Sequence, residues 1–120
     1  MAEYLLSLHT VADEPREPMT DEQMQRFMRG IAELEQEMTA ADALVYSGRL
    51  EDAGAAKVAR VDDGKPLVTD GPFAETKEQL GGFYIVRASD MDDALSWATK
   101  TSACVGRPIE VRPFFAIRGA

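Results

Sequence analysis

The stretch Leu67–Val86, LVTDGPFAETKEQLGGFYIV, changes character halfway along. Its first half is crowded with polar, charged and turn-forming residues, and its second half ends in a strongly apolar strand. Successive strand side chains point to opposite faces, so Phe83, Tyr84, Ile85 and Val86 make both faces of that strand apolar. One face can pack beneath helices. The other would lie open to water in a single sheet, and exposed apolar surface of that kind marks an interface. The expectation is a homodimer whose two sheets pack face to face.

Outward from this strand, the chain alternates between strand and helix patterns. Residues 3–9 place Tyr4, Leu6 and Leu8 on one side and Leu5, Ser7 and His9 on the other. Pro15 and Pro18 make residues 10–19 a predicted loop. Thr20 followed by Gln23 is a capping-box signal. Behind it Met24, Phe27, Met28, Ile31, Leu34 and Met38 share one helical stripe, read as core. Leu44–Tyr46 reads as a short strand closed by Ser47 and Gly48. Residues 55–61 and 66–69, joined through Asp63-Gly64, read as a hairpin. Ser89 or Asp90 caps a second helix with Met91, Ala94, Leu95 and Ala98 on its buried stripe and Trp97 beside it. Gly106 and Pro108 end that helix. Ile109, Val111, Pro113, Phe115 and Ile117 alternate in a last strand, whose prolines predict an edge or a bulge. The order predicts an α+β fold over a single domain, residues 1–120. Its form is a ferredoxin-like antiparallel sheet with two helices on one face.

Composition narrows the function. Thirteen basic against 21 acidic residues leave a net charge of −8. That balance repels phosphate backbones and anionic lipid, which argues against direct nucleic-acid or membrane partners. Cys104 is the only cysteine, so no intramolecular disulfide forms and a reducing compartment is expected. No apolar run approaches the roughly 20 residues that span a bilayer. The start, MAEYLLSLHT, has neither the positive charge nor the apolar length of a secretory signal. The expected location is the cytoplasm. One histidine and one cysteine cannot supply the usual zinc set, and neither a phosphate-binding glycine loop nor a G-x-S-x-G elbow occurs. No cofactor or metal is predicted.

The candidate site residues each carry two readings. Asp70, beside Gly71 and Pro72, is either an acid held at a strand end and pointing into a cleft, or a turn-shaping carboxylate accepting from nearby backbone N–H groups. Gly81 and Gly82 allow close backbone approach, to a ligand or to a neighbouring strand as a bulge. His9 ends the first strand, either as a polar terminus or, if it converges with Asp70, as half of an acid–base couple. Arg112 either pairs with Asp70 or Glu110, or binds a substrate carboxylate. Glu75, Lys77 and Glu78 read as a solvated run, and Cys104 as a structural thiol.

The run Asp62–Glu78, DDGKPLVTDGPFAETKE, followed by Leu80-Gly81-Gly82-Phe83-Tyr84, resembles the DGPF-domain family of the YCII-related group. Tyr4-Leu5-Leu6, Ala94–Ala98 and Ile109–Pro113 support the likeness, which covers nearly the whole chain. The resemblance implies a dimeric α+β barrel and small proteins found beside, or fused to, extracytoplasmic-function sigma factors. No general activity comes with it. Relatives in the wider group carry a proposed histidine–aspartate pair, the histidine early in the first helix and the aspartate near its end. This sequence has no histidine in that helix, and Ala40 falls at the aspartate position with Asp42 nearby, so the pair is not carried over. Two functions stand: binding of a small molecule in a polar pocket near the sheet and dimer interface, with acid–base chemistry there, or a non-catalytic regulatory or scaffold role toward a sigma factor.

Overall fold

The computed structural model describes residues 1–11 and 17–115. Six strands and two helices follow in the order β1 (Ala2–Val11), α1 (Asp21–Ala40), β2 (Leu44–Arg49), β3 (Lys57–Asp62), β4 (Lys65–Asp70), β5 (Glu78–Ala88), α2 (Met91–Val105) and β6 (Ile109–Pro113). A four-stranded antiparallel sheet has the order β2-β5-β1-β6, and β3 and β4 pair separately as a two-stranded hairpin. Without that hairpin the chain is a βαββαβ frame, the ferredoxin-like arrangement.

The period of two on β1 and β5 decides which residues are covered. Tyr4, Leu6, Tyr84, Val86 and Ala88 lie beneath the helices and join Leu34, Met38, Ala94 and Ala98 in the core. Leu6, Met38 and Val86 are the largest fully buried side chains. Lys100 of α2 bonds Glu37 of α1 at 2.9 Å and sits over the Trp97 ring, tying the helices together at their outer surface.

Local signals set the helix ends. The Thr20 hydroxyl accepts from the Gln23 backbone N–H at 3.1 Å, and the Gln23 side chain accepts from the Thr20 N–H at 3.0 Å. This closed capping box satisfies two of the donors a helix start leaves free. Asp90 caps α2 by accepting from Asp93 N–H at 2.8 Å, while Ser89 N–H donates to the Asp93 carboxylate. Gly106 ends α2 in the left-handed conformation.

Several boundaries differ from the sequence reading. Strand β1 runs on through Thr10 and Val11, where pairing with β5 outweighs the polar composition expected of a loop. Residues 12–16, with Pro15, and Ile117 lie outside the described residues. Strand β2 continues to Arg49, because Ser47 and Gly48 pair with Tyr84 and Phe83. A 3-10 turn at Ala53–Ala55 delays β3 to Lys57. The helical stripes are only half core. Met24 and Met28 in the first half of α1 are exposed, and on α2 Met91 and Leu95 are exposed while Ala94, Ala98 and Thr101 form the covered side. Residue β6 Pro113 closes an edge strand, where a missing N–H costs no ladder bond.

Candidate functional site

The central ladder carries one irregularity that shapes its end. Leu8 faces Gly82 but His9 faces Leu80, so Gly81 is an extra residue on β5. A bulge of this kind bends its strand and re-aims the side chains beyond it. A Cβ on Gly81 would lie 2.8 Å from Thr10 Cγ2, which only glycine avoids without displacing Thr10. From the other flank, Leu50 N–H donates to the Gly81 carbonyl at 2.9 Å and draws the segment after β2 against the bulge.

Between these segments lies a cavity of about 790 Å³. Thr10 and Val11 of β1 form one wall and Gln79–Gly81 of β5 another, with Arg49 and the Leu50–Ala53 segment closing the third. Its volume lies within the usual range for small-molecule sites, about 300–1,000 Å³. Arg49, Glu51 and Asp52 bring one cation and two carboxylates to the lining, and none of the three side chains has a hydrogen bond or ion pair among the described residues. A second hollow, of about 490 Å³, lies between the start of α1 and Cys104. Burial, with the nearby Glu33 charge, raises the Cys104 pKa and keeps the thiol protonated.

The residues singled out in the sequence do not gather in one place. Asp70 ends β4, and its carboxylate takes the Lys57 ammonium across the base of the hairpin. Both side chains are exposed. The backbone bond at that point is Gly71 N–H to the Ala56 carbonyl, 2.8 Å, and no backbone N–H donates to the Asp70 carboxylate among the described residues. Gly71 thus seals the hairpin base against Ala56, away from the cavity. His9 is half-buried on β1 opposite Leu80, and no hydrogen bond joins it to Asp70 among the described residues. Gly82 is buried between Gly48 and Leu8, and Gly81 alone of the predicted site residues lines the cavity. Arg112 bonds Glu110 at 2.9 Å on edge strand β6, opposite Leu5. Glu51 and Asp52 went unread because nothing in the spacing of EDAGA marks a site. Their place follows from the 3-10 turn that folds them beside the bulge.

The most perturbed described group belongs to the core. Tyr84 donates to Glu35 Oε2 at 2.8 Å, and desolvation, then that bond and the Glu35 charge, hold its phenol protonated well above the ordinary value. On the opposite face of the sheet, Leu5, Phe83 and Ile85 are half-buried, and among the described residues no helix packs over them. Tyr46 stacks on Phe83 with ring centroids 6.0 Å apart, yet remains 59% exposed. Arg87 shares this face, and its Nε is buried without a hydrogen-bond partner among the described residues.

Among the described residues no three His, Cys, Asp or Glu side chains converge on a metal position, and no helix is long and apolar enough to cross a membrane. Fold and cavity together define a small ferredoxin-like α+β domain with a polar hollow at the bulged end of its sheet. Residues 8–114 match the YCII-related domain, and the chain belongs to that family. A relative, an uncharacterized protein of Rhizobium meliloti (strain 1021), is 40% identical over 81 residues, 68% of this chain and 65% of the relative. The match therefore spans just under two thirds of that relative's length.

Proposed function

We propose that the protein is a homodimer that binds a small polar metabolite in the cavity at the Gly81 bulge. The observation that carries this reading is the unpaired set Arg49, Glu51 and Asp52 on one cavity lining. A guanidinium offers a planar pair of donors to a carboxylate or phosphate group. The two carboxylates suit an amine or hydroxyl at the other end of the ligand, so the favoured class is an amino-acid-like or hydroxy-acid molecule. Acid–base chemistry in this reading falls to Glu51 and Asp52, since Asp70 is held by Lys57 outside the cavity.

Support for the dimer comes from the uncovered sheet face. Its half-buried apolar side chains, Leu5, Phe83 and Ile85, are the surface that a second sheet would cover. Light scattering at micromolar concentration is expected to give twice the chain mass, and a monomeric mass would count against it.

A thermal-shift panel of amino acids, hydroxy acids and dicarboxylates tests the ligand. A hit is expected to raise the melting temperature of the wild type and of Asp70→Asn equally, and to lose its effect in Arg49→Ala. A hit that survives both Arg49→Ala and the double variant Glu51→Gln, Asp52→Asn would place the ligand elsewhere. The second reading, a non-catalytic regulator docking on a partner such as an extracytoplasmic-function sigma factor, is favoured by the exposed Met24 and Met28 on α1. Copurification lost in Met28→Lys, with the cavity variants unaffected, would support that reading instead.

A further inference from the structure

Strands β3 and β4 have no covering layer among the described residues. Every residue of the pair is exposed except Val58, which is half-buried, and the hairpin packs extensively only on itself. The protein's radius of gyration is 17.0 Å, with extents of 49 × 45 × 18 Å. A compact chain of this length has a radius near 14 Å, so the hairpin stands out from the body as an arm. Two isolated strands are marginal in water, and this pair has only a tight turn and an exposed ion pair of its own. Asp63 and Gly64 at the tip have positive φ, 52° and 77°, as a two-residue turn of the primed kind requires.

The arm is two-faced. Register places Lys57 against Asp70, Ala59 against Val68 and Val61 against Pro66 on one face, which is apolar from Ala59 to the tip. Val58, Arg60 and Asp62 lie with Thr69, Leu67 and Lys65 on the other. Val61 and Val68 are 74% and 64% exposed, so the apolar face meets water in the single chain.

We propose that this face packs against a second copy of the chain, each arm of the dimer embracing the other protomer. The proposal rests on the dimer reading above and adds the arm to it. Three observations choose a second copy as the occupant. The first is charge. Lys57, Arg60 and Lys65 balance Asp62, Asp63 and Asp70, so the arm is neutral on a chain of net charge −8 and approaches another acidic copy without net repulsion. The second is area. Strands of 10, 6, 11 and 5 residues, at about 3.3 Å rise and about 4.8 Å spacing, give the open sheet face a footprint of about 500 Å². A stable interface buries about 800 Å² per partner, so the sheet face alone falls short. An arm of six residue pairs adds about 200 Å² and, under two-fold symmetry, receives as much from its mate. The total, about 900 Å², then meets that requirement. The third is the edge chemistry. Pro66 lacks an N–H, and Lys57 and Lys65 flank the strands, which disfavours addition of another strand and leaves the side-chain face as the docking surface.

The test compares three full-length proteins by light scattering and sedimentation across a dilution series: wild type, Val61→Asp with Val68→Asp, and Ile85→Asp on the sheet face. Both valines are exposed, so unchanged circular dichroism and melting of the diluted protein are expected. The double arm variant is expected to raise the dimer dissociation constant at least tenfold. A photo-reactive crosslinker at position 61 of the otherwise unchanged chain should yield covalent species of twice the chain mass. If the arm variant dimerises as tightly as wild type and the crosslinker joins only sites within one chain, the arm proposal is overturned. A weakened Ile85→Asp dimer would then leave the sheet-to-sheet reading standing. A wild type that stays monomeric overturns both.

Discussion

The four-stranded sheet and the β3–β4 arm are built to the same rule and end in different states. Both are antiparallel, and both place apolar side chains on one face by alternation. In the sheet, that face meets two helices, and Leu6 and Val86 lose nearly all contact with water. In the arm the same pattern meets no cover among the described residues, and Val61 stays 74% exposed. Alternation states which face seeks cover. It does not state where the cover comes from.

The sharpest way to break this contrast is to truncate one residue from the covered face. Leu6→Ala is expected to cost about 3 kcal/mol, the transfer term plus the cavity left beneath the helices, read as a urea-unfolding midpoint shift without a change in slope. A cost below about 1 kcal/mol would mean that the core is looser than its burial implies. The bulge joins the covered sheet to the cavity, and its expected effect is smaller. Gly81→Ala should destabilise by about 1 kcal/mol through the clash with Thr10, and adding Thr10→Ser, which removes that methyl, should restore most of the loss.

A pH titration probes the covered face without altering its volume. The folded-state pKa of Tyr84 is raised above its unfolded value, so the folded state holds a proton that the unfolded chain gives up. This contribution is complete below about pH 10, the unfolded phenol value, and is lost as pH rises from there toward the higher folded value. Urea midpoints should therefore fall from about pH 10 upward, and Tyr84→Phe should flatten that limb. An unchanged slope in the variant would assign the alkaline loss to other groups. The smallest effect belongs to the arm. Asp70→Asn removes an exposed pair with Lys57 and should change stability by no more than about 0.5 kcal/mol. A larger change would mean that the base of the arm is more tightly coupled to the body than its exposure implies.

Legibility in the sequence followed the range of the interactions. The Thr20–Gln23 box, the Asp63-Gly64 turn and the alternation of β1 and β5 are local, and they appear in the structure at the residues that encode them. The helical stripes were only half legible. Leu34 and Met38 are core while Met24 and Met28 are not, because burial depends on what packs against each part of α1. The cavity was least legible. Arg49, Glu51 and Asp52 meet Thr10 and Gln79 across long stretches of chain, through a bulge that the Gly81-Gly82 pair announces only as one of two readings. Asp70 drew attention through its neighbours in DGPF, yet its partner is thirteen residues back, across a hairpin.

The closed base of the arm has a further meaning. Gly71 N–H bonded to the Ala56 carbonyl at 2.8 Å completes the frame before the arm begins, so residues 57–70 act as a measured extension. Each added or removed residue pair changes its reach by about 3.4 Å without shifting the register of β2 or β5. Two pairs more or fewer move the tip by about 7 Å. The arm is therefore a ruler, and its length is a dimension that can be varied while the fold stays fixed.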